Sequence, residues 1–409
     1  MYIALVLLAT SPLQSLDDRL ADVDLAWHAI QTGHRYPWHT TDPVAFAERR
    51  GELERSIASQ PLPVARFELA RWIATIGDGH TLVPLLPLSQ DRFCDESPRR
   101  YLPLRFELFD NGLFVVGADR RFARFVGMKV RTLGGRPVSQ ALEIAQSALP
   151  RRTRGFAQEY APEWLMSEDV LSGGGLLSGD GTLSVGIGHL SPQQVPLVAC
   201  SRFDWLHSRT DGPVMRENWR FAPDPSADFR GDLMSMNKGV LHIFELRVPD
   251  RNKAGNYFRT LLRGPPNDGN LIIDLRNTIG GDGTMIEPLF EALADRFGAD
   301  WAARTVVLQG RRTHSAGIML LSALRKAGVA SFGQATGDAP SHYGETQAVR
   351  LPSFGTMLLY ASDFYDTDRP GDGRANILPD HRISFMAGDY FAGRDPTMVA
   401  ARTHERTMR

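Results

Sequence analysis

Apolar runs and polar turns alternate most regularly between Leu271 and Glu345, where two strand-turn-helix units follow one another. Leu271-Ile272-Ile273-Asp274-Leu275 is a short β-branched run, the pattern of a strand buried on both faces. Gly280 and Gly281 permit a sharp turn, and Asp282 or Thr284 then caps a helix predicted through Phe297. Thr305 to Leu308 reads as a second strand, Gln309 to His314 as a polar turn, and Ser315 opens a helix that stops at Gly328. Ala316, Ile318, Met319, Leu320, Leu321, Ala323 and Leu324 make that helix apolar nearly all round, so it is expected to be buried. Ser315 thus stands where a buried helix meets a turn.

Upstream, Leu16 to Ile76 carries a helical, amphipathic pattern interrupted at Pro61 and Pro63. Gly77-Asp78-Gly79 ends it with a C-cap signal, which leaves His80 on the departing loop. Residues 100–200 read as a mostly β region. It holds a hairpin around Asn111-Gly112, a strand-turn-strand over Gly127 to Val138 and a helix from Ser139 to Leu149. Thr182 to Ile187 and Gln194 to Ala199 supply another strand pair, and the glycine-rich loops at 173–181 lack the Gly-Lys-Ser/Thr of a phosphate loop. Residues 201–234, with Phe203 to Asp228 as their aperiodic heart, read as a linker or lid.

A core is expected over 235–390. It opens with a strand at Leu241 to Leu246 and a helix at Tyr257 to Leu262. A loop follows over Thr336 to Glu345, with strands at Val349 to Leu351 and Met357 to Tyr360 and a last one near Ile383. The tail, 391–409, is expected to fray.

Composition changes this picture little. With 409 residues, 43% of them hydrophobic, the chain can bury a large core. A formal net charge of −1 gives no general pull toward nucleic acid or anionic membrane. Lys129, Lys238, Lys253 and Lys326 are the whole lysine supply, so a lysine-based mechanism has few candidates. Cys94 and Cys200 allow one disulfide but no metal spacing. Tyr2 to Ala9 is too short to span a bilayer and lacks basic residues before it. If residues 1–15 act as a signal the protein is periplasmic or secreted; otherwise it is cytoplasmic.

Leu271 to Asp282 resembles the LIIDLRxNxGG signature of the tail-specific, or C-terminal-processing, serine peptidases (S41-like), departing at Thr278 where that signature has asparagine. Other segments match the family in order: Gly77 to Thr81, Thr313 to Ala316, Gly333 to Gly337, Ser341 to Glu345, Leu351 to Gly355 and Pro379-Asp380. The resemblance implies an α/β fold with a crotonase-like (ClpP/crotonase-type) spiral of strand-strand-helix units. It also implies hydrolysis of a peptide or protein substrate without metal or organic cofactor. A full PDZ module is not expected, since only the fragment Gly127 to Val138 matches it.

The chemistry of acyl transfer needs a nucleophile, a base and donors for an oxyanion. The resemblance places the nucleophile at Ser315 and one oxyanion donor at Ala316, with Gly280 or Gly281 as the second; an N-cap and a tight turn are the ordinary alternatives. Lysine in the family's lysine branch would fall at Met319 or Pro340, so the histidine branch is favoured with His80 as base. The auxiliary serine implied before that histidine is Gly79 here. Asp78, Glu345 and Asp372, in that order, are candidates to orient His80, and His314 and His342 are alternative imidazoles. Two rival readings share the scaffold: a non-catalytic binder of a hydrophobic ligand or peptide, and a hydrolase of small esters.

Overall fold

The computed structural model describes residues 16–86, 99–151, 154–199, 233–263, 271–368 and 371–407. The leader-like segment, both cysteines and the linker or lid at Phe203 to Asp228 lie outside them.

Six strands build the central sheet: in spatial order His381–Arg382, Ala330–Gly333, Thr305–Gln309, Leu271–Asp274, Val240–Ile243 and Met234–Asn237. All neighbours run parallel except the antiparallel edge strand Met234–Asn237. Its buried strands read as apolar runs because both faces are covered. On one face Leu241, Ile243, Leu271, Ile273 and Val307 pack with helices Ala254–Leu261, Ile286–Phe297 and Ala316–Lys326. On the other, Val240, Ile272, Val306, Leu308 and Phe332 surround Ala401 of the C-terminal helix Pro396–Thr407. The chain is therefore mixed α/β, as its sequence pattern predicts.

A second core joins the N-terminal helices Leu16–Gly33, Pro43–Ile57 and Leu62–Ile73 to the middle region. It also takes in Leu351, Phe354 and Leu358 of a long hairpin, Ser341–Leu351 with Thr356–Asp366. Leu82 and Leu359 exchange backbone hydrogen bonds of 3.0 and 2.9 Å, and the Thr81 hydroxyl accepts from Ala361 N–H at 3.1 Å. The loop carrying His80 is thereby stitched to the hairpin.

Three features depart from the sequence reading. The middle region holds two further helices, Arg154–Trp164 and Glu168–Gly173. Gly155 and Pro162 disguise the first, although Phe156, Tyr160 and Trp164 keep a four-residue spacing. The hairpin strand begins at Ser341 rather than Val349, because His342 and Tyr343 are buried where a polar loop was expected. Instead of fraying, the tail folds: Asp395 caps its helix by accepting from Met398 N–H at 2.9 Å. No helix among the described residues is long and apolar enough to cross a membrane.

Candidate active site

Ser315 follows strand Thr305–Gln309 and precedes helix Ala316–Lys326 with φ 52 and ψ −126. A positive φ is strained for a residue with a β-carbon. Its hydroxyl makes no capping bond to the helix it precedes, so the ordinary N-cap role does not account for it. Neighbouring turns hold the strain in place. His314 N–H donates to Thr278 O at 3.0 Å, and the Thr313 hydroxyl donates to Leu275 O at 2.8 Å while accepting from Gly310 N–H at 3.0 Å. Thr278 is fully buried, and its hydroxyl donates to the Ile243 carbonyl. A β-carbon on Gly317 would meet the Thr278 methyl at 2.9 Å, so the residue that departs from the family signature packs directly under the helix start.

Gly280 and Gly281 occupy φ 141 and 123, each in the region that favours glycine. They pair in parallel with Glu245–Leu246, and Gly280 lies beside Ser315. A β-carbon at Gly280 would lie 3.0 Å from Ser315 Cβ, 3.3 Å from its Oγ and 4.0 Å from the Ala316 nitrogen. The missing side chain leaves open the space next to the hydroxyl and the helix N-terminus. Ala316 is the first helical residue, so its N–H has no intrahelical acceptor by position. Gly281 is different: a β-carbon there would meet Leu246 O at 2.4 Å, so its bareness serves strand packing.

Three imidazoles gather by this turn. The His80 ring stacks on His314 at 4.4 Å between centroids and on His342 at 5.9 Å. All three residues are buried. Burial first, then the fields of His314 and His342, hold the His80 pKa well below the ordinary histidine range, against a weaker opposing pull from Asp78. Burial likewise lowers His314, with Asp338 opposing. A β-carbon on Gly79 would come within 2.7 Å of His314 Nε2. The side chain that the resemblance implies at position 79 would collide with the imidazole that fills its place here.

Asp78 is buried and accepts the His80 N–H at 3.0 Å through one oxygen and hydrogen-bonds His34 Nε2 at 2.9 Å through the other. Burial pushes its carboxyl up, but the His34 bond and the surrounding imidazoles more than offset this and hold it low. Asp78 thus fixes the backbone of His80, while His80 Nδ1 is buried without a hydrogen-bond partner. Glu345, at φ 54, accepts from the Tyr365 hydroxyl at 3.2 Å, and Asp372 pairs with Arg374. The four lysines are engaged elsewhere or remote. Lys129 Nζ donates to Asn111 O at 2.6 Å, Lys326 Nζ to Thr367 O at 2.7 Å, and Lys253 pairs with Asp250 at 3.1 Å. Lys238 lies in the turn before strand Val240–Ile243, at the opposite end of the parallel sheet from Gly280 and Ser315.

Sequence reasoning missed His34, Asp338 and Phe156. Asp338 lies between two matched motifs, and His314 Nε2 is 3.2 Å from its Oδ2. Phe156, on the unexpected helix, sets its ring 5.3 Å from that of His314.

No family model matches the chain, and no curated protein does. Solved structures do. Mature CPAF complexed with lactacystin is 13% identical, with 96% of this chain and 98% of that one covered and a TM-score of 0.59. A serine-to-alanine mutant of CPAF is also 13% identical, covering 92% of this chain and 94% of the other at a TM-score of 0.60. The photosystem II D1 C-terminal processing protease, 12% identical, covers 89% and 92% at 0.35. At these identities the CPAF likeness shows a shared fold.

Proposed function

We propose that the protein is a serine-type peptidase of the tail-specific kind on a crotonase-like core, acting on a peptide or protein substrate, with Ser315 as nucleophile and His80 as base. The observation that carries this reading is the strained Ser315, whose hydroxyl caps nothing and borders the space opened by Gly280 beside Ala316 N–H. The motif order in the sequence and the CPAF-like fold support it.

In this mechanism Ser315 Oγ attacks the carbonyl carbon as His80 takes the hydroxyl proton. The Ala316 N–H, with Gly280 or Gly281 as second donor, stabilises the oxyanion. Collapse breaks the C–N bond, His80 passes its proton to the leaving amine, and water then releases the acyl group by the reverse sequence. A base buried among imidazoles and held neutral suits the first step.

The test is labelling with a fluorophosphonate and mapping of the modified residue, alongside turnover of a peptide library. Wild type should label at Ser315, whereas Ser315→Ala should neither label nor hydrolyse. Because the hydroxyl makes no cap bond, the variant should melt close to wild type. Wild-type turnover by the Ala variant would overturn the assignment. Labelling without any peptide cleavage would favour a small-ester hydrolase, and absence of labelling a binding protein.

A further inference from the structure

We propose that His80, His314 and Asp338 form a binding site for a divalent cation of the zinc class. One ligating atom from each of the three residues lies within 4.8 Å of the others, and the residues are 8%, 8% and 1% exposed. His80 Nδ1, His314 Nε2 and Asp338 Oδ2 are all buried without a hydrogen-bond partner. Such atoms are costly unless something unseen satisfies them.

The His314–Asp338 pair is the most telling. Nε2 and Oδ2 are 3.2 Å apart but not aligned as a hydrogen bond. The other His314 nitrogen bonds the Ile279 backbone. In the neutral ring that leaves the Nε2 lone pair facing a carboxylate oxygen, two acceptors with nothing between them. A cation resolves the contact. The surroundings already resemble an outer shell: His314 is fixed by a backbone group, and Asp338 Oδ1 accepts the Ala339 N–H at 2.8 Å. A side chain at position 79 would obstruct the ligating atom, because a β-carbon there would stand 2.7 Å from His314 Nε2.

Two imidazoles and one carboxylate suit zinc, whose bonds of about 2.0–2.2 Å place tetrahedral ligand atoms about 3.3 Å apart. His314 and Asp338 already stand at that spacing, and His80 closes the remaining gap, its ligating atom lying within 4.8 Å of theirs. Tetrahedral zinc takes a fourth ligand, which a water molecule would supply. The consequence for turnover rests on the peptidase reading. A neutral imidazole has one basic lone pair, so an ion on either nitrogen of His80 leaves the other holding the proton. The ion therefore silences the base.

Binding is measured on the full chain carrying Ser315→Ala and stripped of metal, so that it is read without hydrolysis. Titration with zinc chloride by calorimetry should show one ion per chain, and cobalt should give a tetrahedral visible spectrum. His314→Gln or Asp338→Asn added to that protein should weaken binding by more than about tenfold. A metal-free melt establishes that each variant is folded, and His80→Gln replaces any that is not. No binding, or binding unchanged in the folded variants, overturns the proposal. In wild type, zinc should suppress peptide turnover and a chelator restore it; turnover unaffected by saturating zinc would overturn the silencing of the base. If wild type cleaves no peptide at all, the peptidase reading fails and the calorimetric result still decides the site.

Discussion

The acidity of His80 makes the sharpest residue-level prediction. A histidine base must be neutral, and burial beside His314 and His342 disfavours its cation. The acid limb of the rate–pH profile should therefore lie below the ordinary histidine value of about 6.5 and the rate should then level. His80→Ala should lose nearly all turnover and Lys238→Met keep most of it. A limb at or above the ordinary value, or the opposite pattern of losses, would point to another base. His80 and Ser315 stood out in the sequence because each sits beside a local signal, a helix end with its glycine turn and a helix start. Asp338 and His34 did not, because their partners come from elements distant in the chain, and nothing in their own neighbourhoods announces the meeting.

Among the elements, the signature strand is tied to the last helix by one guanidinium. Arg276 Nε and Nη2 donate to the two oxygens of Asp274 at 2.9 and 2.7 Å, and Nη1 donates to both oxygens of Asp395 at 2.9 and 2.8 Å. Burial pushes the Asp274 carboxyl up, but Arg276 more than offsets this and holds it far below its usual range. Its stabilising contribution is present above the unfolded carboxylate value and is lost as pH falls. Arg276→Met leaves two carboxylates facing each other and should cost about 3–5 kcal/mol in urea unfolding. The added sensitivity of the C-terminal helix to a protease would localise the damage. A loss under about 1 kcal/mol would show that the network is solvated. Periodicity located the apolar strands and the Ser315 helix because burial imposes it. It missed the C-terminal helix, whose one fully buried anchor among the described residues is small, Ala401, and whose cap is held by Arg276 from far upstream.

For the molecule as a whole, the middle region clamps the turn that precedes Ser315. Arg311 and Arg312 reach Glu159 of helix Arg154–Trp164 at 3.1 and 2.6 Å, and Arg311 Nη2 donates to Leu108 O at 2.7 Å. Within this cluster burial and the Glu159 charge push the Glu107 carboxyl up to about 7. A raised folded pKa contributes stability below the unfolded value that is lost as pH rises through about 7. Glu107→Gln, neutral throughout, should melt above wild type at pH 8 and level with it at pH 4. An equal shift at both would mean that the gain is not electrostatic. The α/β class was readable from pattern, but not the second core, which draws Leu351, Phe354 and Leu358 to the N-terminal helices, nor this clamp, since the helix that makes it hides behind Gly155 and Pro162. There is also a consequence for biosynthesis. His80 leaves the ribosome long before Ser315, and at roughly 5–20 residues per second the interval is about ten to fifty seconds. Under the proposed roles the nascent chain meanwhile holds the base without the nucleophile, and the strain at Ser315 awaits strands still to be made. On the peptidase reading, the unfinished chain cannot hydrolyse a peptide until the turn that carries Ser315 has been made and folded.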